Sequence, residues 1–198
     1  MIDIRGLLAK RAHSAHMPAF LPRLPFSGPE FLVHDVLPSS PVDATAFRRL
    51  MGQFATGVCV VSANAPEGQP TGITVNSLVS VSLDPLLISW SLQNTSSQFD
   101  TWSNSHDFAI SILSEDQGDL ARRYAIRGNS GLKKSDFVLS ETGLPVIDKA
   151  LGHLECRQWS LYPAGDHTMI FGEVVGIYQA IEGRPLGFFG GDFCRIAD

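Results

Sequence analysis

Leu154-Glu155-Cys156-Arg157-Gln158-Trp159-Ser160-Leu161-Tyr162 and Thr168-Met169-Ile170-Phe171-Gly172-Glu173-Val174-Val175-Gly176-Ile177-Tyr178 are two long β-prone runs, with Gly165-Asp166-His167 between them. A Gly-Asp pair in that position signals a tight hairpin, because glycine supplies the positive φ that a two-residue turn requires. The pair of runs therefore points to antiparallel β structure. His167 stands at the mouth of the hairpin, where a ring nitrogen on a rigid turn is well placed to meet a ligand. The plainer alternative is an exposed turn histidine without a role.

Outward from the hairpin, the same grammar continues. Asp43 is a candidate cap for a helix in which Phe47, Leu50, Met51 and Phe54 recur at helical spacing, with Gly57 as its stop. Val58 to Ala63 reads as a buried strand, Thr71 to Leu83 as an apolar and hydroxyl-rich strand region, and Leu86 to Leu92 as another strand after the Asp84-Pro85 break. Asn94 to Ser97 opens a short helix reaching Ser103, Phe108 to Leu113 is a strand, and Ser114 caps a helix over 115–124. Residues 125–137 read as a polar, mobile loop, and the rest as strand, around Val138 and over 144–147, 152–162, 167–180 and 185–196. Strands far outnumber helices and follow in hairpin order, which predicts an antiparallel barrel and argues against a doubly wound parallel sheet.

Composition narrows the function classes. The 198 residues suffice for one domain with a sizeable core, and 44% hydrophobic against 18% charged residues is a globular balance. A net charge of −5 argues against a surface that tracks nucleic-acid phosphates. A single mononucleotide phosphate needs only a few aimed donors and is still allowed. No apolar run reaches the roughly 18 residues of a membrane span. Cys59, Cys156 and Cys194 lie in β-like runs at no metal spacing, so they read as reduced, buried thiols of a cytoplasmic protein. His153 and Cys156 find no second pair to complete a metal site, and no metal is expected. Residues 1–42 form a separate stretch, with six of the twelve prolines and no compact apolar region ending in a small-residue cleavage site. It reads as an extended arm, either flexible or laid on the domain or on a partner subunit.

Three features carry possible chemistry. Thr74-Val75-Asn76-Ser77 places small hydrogen-bonding side chains among apolar ones, the surface that a flat heteroaromatic ring with a polar edge requires; an edge strand with solvated hydroxyls is the alternative. Asn94-Thr95-Ser96-Ser97 supplies hydroxyls and free N–H groups, suited either to a phosphate or to simple helix capping. Arg127, Lys133 and Lys134 form a small basic group, either a phosphate contact or a solvated loop face. Gly128 to Ser135 lacks the glycine spacing of a Walker loop, and no Gly-x-Gly-x-x-Gly follows a first strand, so any nicotinamide must bind without a Rossmann unit.

In order along the chain, Thr71-Gly72-Ile73-Thr74-Val75-Asn76-Ser77 through Leu83-Asp84-Pro85-Leu86, Arg123-Tyr124-Ala125-Ile126-Arg127-Gly128 leading to Phe137, Gly165-Asp166-His167 and Phe188-Phe189-Gly190-Gly191-Asp192-Phe193 resemble the flavin reductase-like domain family. The resemblance covers about residues 43–198. It implies a mostly β, antiparallel split barrel with a few short helices. It also implies an NAD(P)H:flavin oxidoreductase that moves hydride from NADH or NADPH to FMN or FAD and supplies a partner flavin-dependent monooxygenase. The working unit it implies is a homodimer with flavin near the interface. By the same resemblance His167 borders the nicotinamide as the catalytic residue, with Gly165 and Asp166 beside it as cofactor-binding residues. Thr74, Val75, Asn76 and Ser77 hold the ring system, Ser82 and Asp84 help to form the flavin site, and Asn94, Ser96 and Ser97 cradle the phosphate, with Arg127 in reach. The loop at 94–97 lacks the basic residue that the family often has, which suits a flavin that exchanges. Two alternatives are a flavin-binding protein without turnover and a split-barrel FMN oxidase acting on a small substrate, although the loops are poor in the arginine that a substrate phosphate would call for.

Overall fold

The computed structural model describes residues 42–65, 68–180 and 182–196; nearly all of the proline-rich stretch lies outside them. Asp43 caps the first helix, α1 (Ala44–Met51), its Oδ1 accepting from the backbone N–H of Thr45 and Ala46 at 2.8 Å. The helix stops at Gly52, earlier than the glycine at 57 suggested. Its apolar face has the expected spacing but packs on no core among the described residues, since Phe47, Leu50 and Met51 are 66, 71 and 47% exposed.

Among the described residues twelve strands follow: β1 (Thr56–Gly57), β2 (Cys59–Asn64), β3 (Pro70–Val75), β4 (Val79–Leu83), β5 (Leu86–Gln93), β6 (Asp107–Ile112), β7 (Phe137–Leu139), β8 (Pro145–Ile147), β9 (Gly152–Ala164), β10 (His167–Gln179), β11 (Leu186–Phe189) and β12 (Asp192–Arg195). Seven form one antiparallel sheet in the order β3-β2-β6-β9-β10-β5-β4. Its outermost strands, β3 and β4, are consecutive in sequence and joined only by Asn76, Ser77 and Leu78. Three linking residues span roughly 10 Å at most, so the sheet curls until its two edges approach. No ladder joins those edges, which leaves the barrel split along them.

β2 is buried along most of its length because both of its faces are covered. Cys59, Val61 and Ala63 enter the barrel with Ile88, Trp90, Phe108, Ile110, Cys156 and Ile170, whereas Val60 and the preceding Val58 pack outward beneath Ala121, Tyr124 and Leu186. That double burial explains why the run shows no polar alternation. Within the barrel, Trp90 meets Trp102 edge to face, with centroids 5.6 Å apart at 89°. Trp102 belongs to α2 (Phe99–Ser103). α3 (Gly118–Ala125) follows a short 3-10 turn at 115–117, which Ser114 and Gln117 cap reciprocally.

Three expectations need correction. Thr71 to Leu83 is two strands, because Asn76–Leu78 carries the chain from one edge of the sheet to the other. The segment 125–137 is tied down: Gly72 N–H donates to Ser130 O at 2.8 Å, and Leu132 N–H donates to Pro70 O at 2.9 Å. The stretch 185–196 is a hairpin, β11 to β12, turned at Gly190 and Gly191 with φ of +64° and +90°.

Candidate functional site

A cleft of about 300 Å³ opens where the split runs between β3 and the C-terminal half of β5. Leu86–Ser89 pair with both β4 and β10 or lie at their ends, but Trp90–Gln93 pair with β10 alone. The side of β5 left open there faces the Asn76–Leu78 link, and Ser91 N–H donates to Ser77 Oγ at 3.1 Å across that gap. The walls comprise Ile73–Ser77, Ser91–Gln93, Ser96–Gln98, Tyr124–Gly128 and His167.

Eight of the residues expected from sequence meet here: Thr74, Val75, Asn76, Ser77, Ser96, Ser97, Arg127 and His167. They come from segments that are distant in sequence, and the sheet order brings them together. Thr74 Oγ1 donates to Ala121 O at 2.9 Å, which fastens α3 onto β3 and leaves the hydroxyl only its acceptor capacity. Ser77 Oγ accepts from Ser91 and keeps its proton for a ligand. Ser96 Oγ accepts from Gln98 N–H at 3.2 Å, and Gln98 Oε1 in turn accepts from Trp102 Nε1 at 3.0 Å, so this wall is anchored in the core.

Arg127 resolves the missing-cation problem of the 94–97 loop. Its Nη2 donates to Thr95 O at 2.9 Å, which places a guanidinium from the far side of the cleft against that loop. His167 is the first residue of β10 and pairs with Gln93, the last of β5. Its Nδ1 lies 2.7 Å from Asp166 Oδ1. An ionised carboxylate only accepts, so Nδ1 carries the hydrogen and Nε2 is left for a ligand. The hydrogen bond and charge of His167 hold the Asp166 carboxylate below its ordinary range.

The other five expected residues stand apart from the cleft. Asn94 is a tie: its backbone N–H donates to Asp166 O at 2.9 Å, its Nδ2 to Gly165 O at 3.3 Å, and its Oδ1 accepts from Thr168 Oγ1 at 2.8 Å. Gly165, at φ +65°, and Asp166 shape the two-residue turn between Ala164 and His167. Ser82 and Asp84 lie at the opposite end of β5 from Gln93, about 20 Å away at strand rise. There Ser82 Oγ accepts from Asp84 N–H at 3.2 Å, so the plain turn describes them better than a place in this cleft.

Sequence reasoning missed Tyr124, Gln98 and Ser91 as lining residues. Tyr124 carried a signal, since a tyrosine on the buried stripe of an amphipathic helix needs a partner for its hydroxyl. A larger cleft of about 630 Å³, around Asn64, His106, Thr142, Glu155 and Arg157, contains none of the expected residues. Among the described residues no cluster of three or more His, Cys, Asp or Glu is arranged for a metal ion.

The chain matches known proteins over most of its length. FMN reductase (NADH) SmoA of Agrobacterium fabrum is 43% identical over 155 residues, spanning 78% of this chain and 87% of the relative. The reductase subunit HsaB of a flavin-dependent monooxygenase from Mycobacterium tuberculosis is 30% identical over 160 residues, 80% of this chain and 85% of the relative. Among solved structures, the NADH:FAD oxidoreductase SgcE6 of Streptomyces globisporus, in complex with NAD and FAD fragments, superposes with a TM-score of 0.74 at 36% identity, covering 80% of this chain and 95% of that one. A family profile described as flavin reductase like domain matches residues 51–197. This chain belongs to the flavin reductase-like domain family.

Proposed function

We propose that the chain is an NAD(P)H:flavin oxidoreductase that takes hydride from NADH or NADPH to FMN or FAD and passes the reduced flavin to a flavin-dependent monooxygenase. The observation that carries this reading is the convergence of Thr74–Ser77, Ser96–Ser97, Arg127 and His167 on one cleft. The relatives named for FMN reduction with NADH and for the reductase subunit of a monooxygenase support it.

The cleft suits a flavin. Ile73, Val75, Leu92 and Ile126 offer apolar contact, Asn76, Ser77 and Gln93 offer an edge of donors and acceptors, and Arg127 with Ser96 and Ser97 offers an anion site at one end. A bound flavin supplies the two-electron chemistry, accepting hydride from the nicotinamide. The protein's own residues bind and orient. Asn76 and Ser77 fix the ring, Arg127 and the hydroxyls of 96–97 hold the phosphate, and His167, steadied through Nδ1, presents Nε2 to the nicotinamide. Positioning of this kind lowers the entropic part of the barrier, and no catalytic base is required.

A homodimer fits the apolar surface. Three β-bulges, at Val81, Trp159 and Val175, each turn a large apolar side chain to solvent, and Leu161 and Ile177 lie on the β9–β10 hairpin that carries the last two. Like the bare face of α1, these are large apolar side chains that a monomer would leave wet. In this reading residues 1–42 are dispensable for the chemistry.

Steady-state oxidation of NADH and NADPH against FMN, FAD and riboflavin tests the reading. Flavin-dependent consumption well above that of free flavin is expected. Tight flavin binding with no consumption above the free-flavin rate leaves a flavin-binding protein. Turnover that requires a separate small substrate and oxygen, with no need of nicotinamide, leaves an oxidase.

A further inference from the structure

Ile126, Arg127 and Gly128 line the cleft and begin a segment that runs on to Gly131. It leaves the end of α3, turns at Gly128 with φ +84°, and lands on β3, where Ser130 O accepts from Gly72 N–H and Thr71 Oγ1. Between these anchors a strap of this kind would wander, because glycine and polar residues give it little packing. What stiffens it lies behind the cleft. Tyr124 Oη donates to Asp136 Oδ2 at 2.6 Å and accepts from Lys133 N–H at 3.0 Å. Arg123 pairs with the same carboxylate oxygen, and its carbonyl accepts from Asn129 Nδ2 at 3.1 Å. Asp136 Oδ1 accepts from Ser135 Oγ at 2.9 Å, and its carbonyl accepts from Asp148 N–H at 3.1 Å. Tyr124 lines the cleft and is almost fully buried, so one residue touches both the ligand space and the brace.

We propose that Asp136, acting through the Tyr124 hydroxyl and Arg123, is a positioning residue that holds the strap 126–131 so that Arg127 meets the phosphate of the flavin. The inference rests on the reading of the cleft as a flavin site. It makes Asp136 a determinant of phosphate recognition, although Asp136 itself does not line the cleft. A carboxylate beside an anion site would normally oppose the anion. Here its charge is met by Arg123, its oxygens accept from Tyr124 and Ser135, and Arg127 stays directed at the loop of Thr95.

The test uses Tyr124→Phe, which keeps the ring and removes the hydroxyl, and Asp136→Asn, which keeps the shape and removes the charge. Two quantities are measured on the full chain: amide hydrogen exchange along 126–132, and affinity for FMN against riboflavin, which shares the ring and lacks the phosphate. In both variants exchange across the strap should quicken at least tenfold while β2, β6 and β10 keep their protection. FMN affinity should fall about tenfold, riboflavin affinity should hold within twofold, and adding Arg127→Ala should cost little more. Unchanged exchange across the strap, or equal losses of FMN and riboflavin, overturns the proposal. A wild-type chain that binds riboflavin as tightly as FMN overturns the phosphate role, and with it the proposal, and leaves the ring site standing. A wild-type chain that binds neither ligand overturns both.

Discussion

Thr168 Oγ1 donates to Asn94 Oδ1 at 2.8 Å, joining the second residue of β10 to the loop that follows β5. Because Asn94 also donates to the carbonyls of Gly165 and Asp166, one side chain and its own backbone N–H fix the turn that presents His167. Asn94→Ala removes two side-chain bonds from partly exposed positions, at about 0.5–1.5 kcal/mol each. The expected result is a modest fall in melting temperature, a raised KM for the nicotinamide and near-normal FMN affinity. If FMN affinity falls as far as nicotinamide use, Asn94 is a flavin ligand and its role as a tie is secondary.

His167→Ala should slow reduction by nicotinamide roughly ten- to a hundredfold, the worth of about 1–3 kcal/mol of positioning. Flavin affinity should change little, because Nε2 is the atom left for the reductant and the ring contacts lie on β3 and its link. Stopped-flow reduction of flavin-loaded protein separates the two quantities. Parallel losses in rate and in flavin affinity would contradict the assignment.

Asp136 should give the protein an acid-sensitive brace. Burial alone would raise its pKa, but the hydrogen bonds from Tyr124, Ser135 and Arg123 outweigh that effect and hold the carboxyl below the usual aspartate range. A lowered folded-state pKa contributes stability that is complete above the unfolded value, about 3.9, and is lost as pH falls through the folded value. The stability difference between wild type and Asp136→Asn should therefore be flat from pH 8 to pH 5 and shrink below about pH 4. Denaturant melts at several pH values decide it, and a difference that grows on acidification would refute the sign.

Gly172 is required by packing. A Cβ there would sit 2.6 Å from Phe108 Cζ and 3.1 Å from Cys156 Cβ, inside the barrel. Gly172→Ala should destabilise by about 1–3 kcal/mol, a fall in melting temperature of roughly 2–4 °C for each kcal/mol in a domain of this size. An unchanged melting curve would mean that the Phe108 ring moves aside at no cost.

Two of the three thiols should be silent in the native state. Burial pushes Cys59 up to about 12, and burial together with the charge of Glu155 does the same to Cys156. Alkylation at pH 8, read by mass spectrometry, should mark Cys194 alone, since only Cys194 is partly exposed. Labelling of Cys59 or Cys156 at a comparable rate would reveal opening of the barrel.

The hairpin around Gly165-Asp166 was legible in the chain, because the turn residues and the flanking β-prone runs both mark it, although its bulges at Trp159 and Val175 were not. So was the pairing of Asp43 with a helix, since capping is a local interaction. The split of Thr71–Leu83 was not, because Asn76-Ser77-Leu78 carries no glycine or proline to mark a break, and only the closing of the sheet forces the chain to cross there. Ser82 and Asp84 show the same limit. Polar residues beside a proline look alike whether they form a turn or a site, and only the direction of β5 places them far from Gln93. Arg127 was ambiguous for the opposite reason. A cation in a polar loop is usually solvated, and its contact with Thr95 depends on a brace spread over residues 123 to 136.

The open side of β5 has a mechanical consequence. From Trp90 to Gln93 the strand is laddered to β10 alone, and its tie to the opposing edge is the Ser77 hydroxyl. Separating the two walls of the cleft would break the contacts of Ser77 with Ser91 and of Arg127 with Thr95, and no rung of the seven-stranded ladder. The slit is built like an expansion joint: side-chain bonds span it, and the ladders and the Trp90–Trp102 pair close the interior behind it.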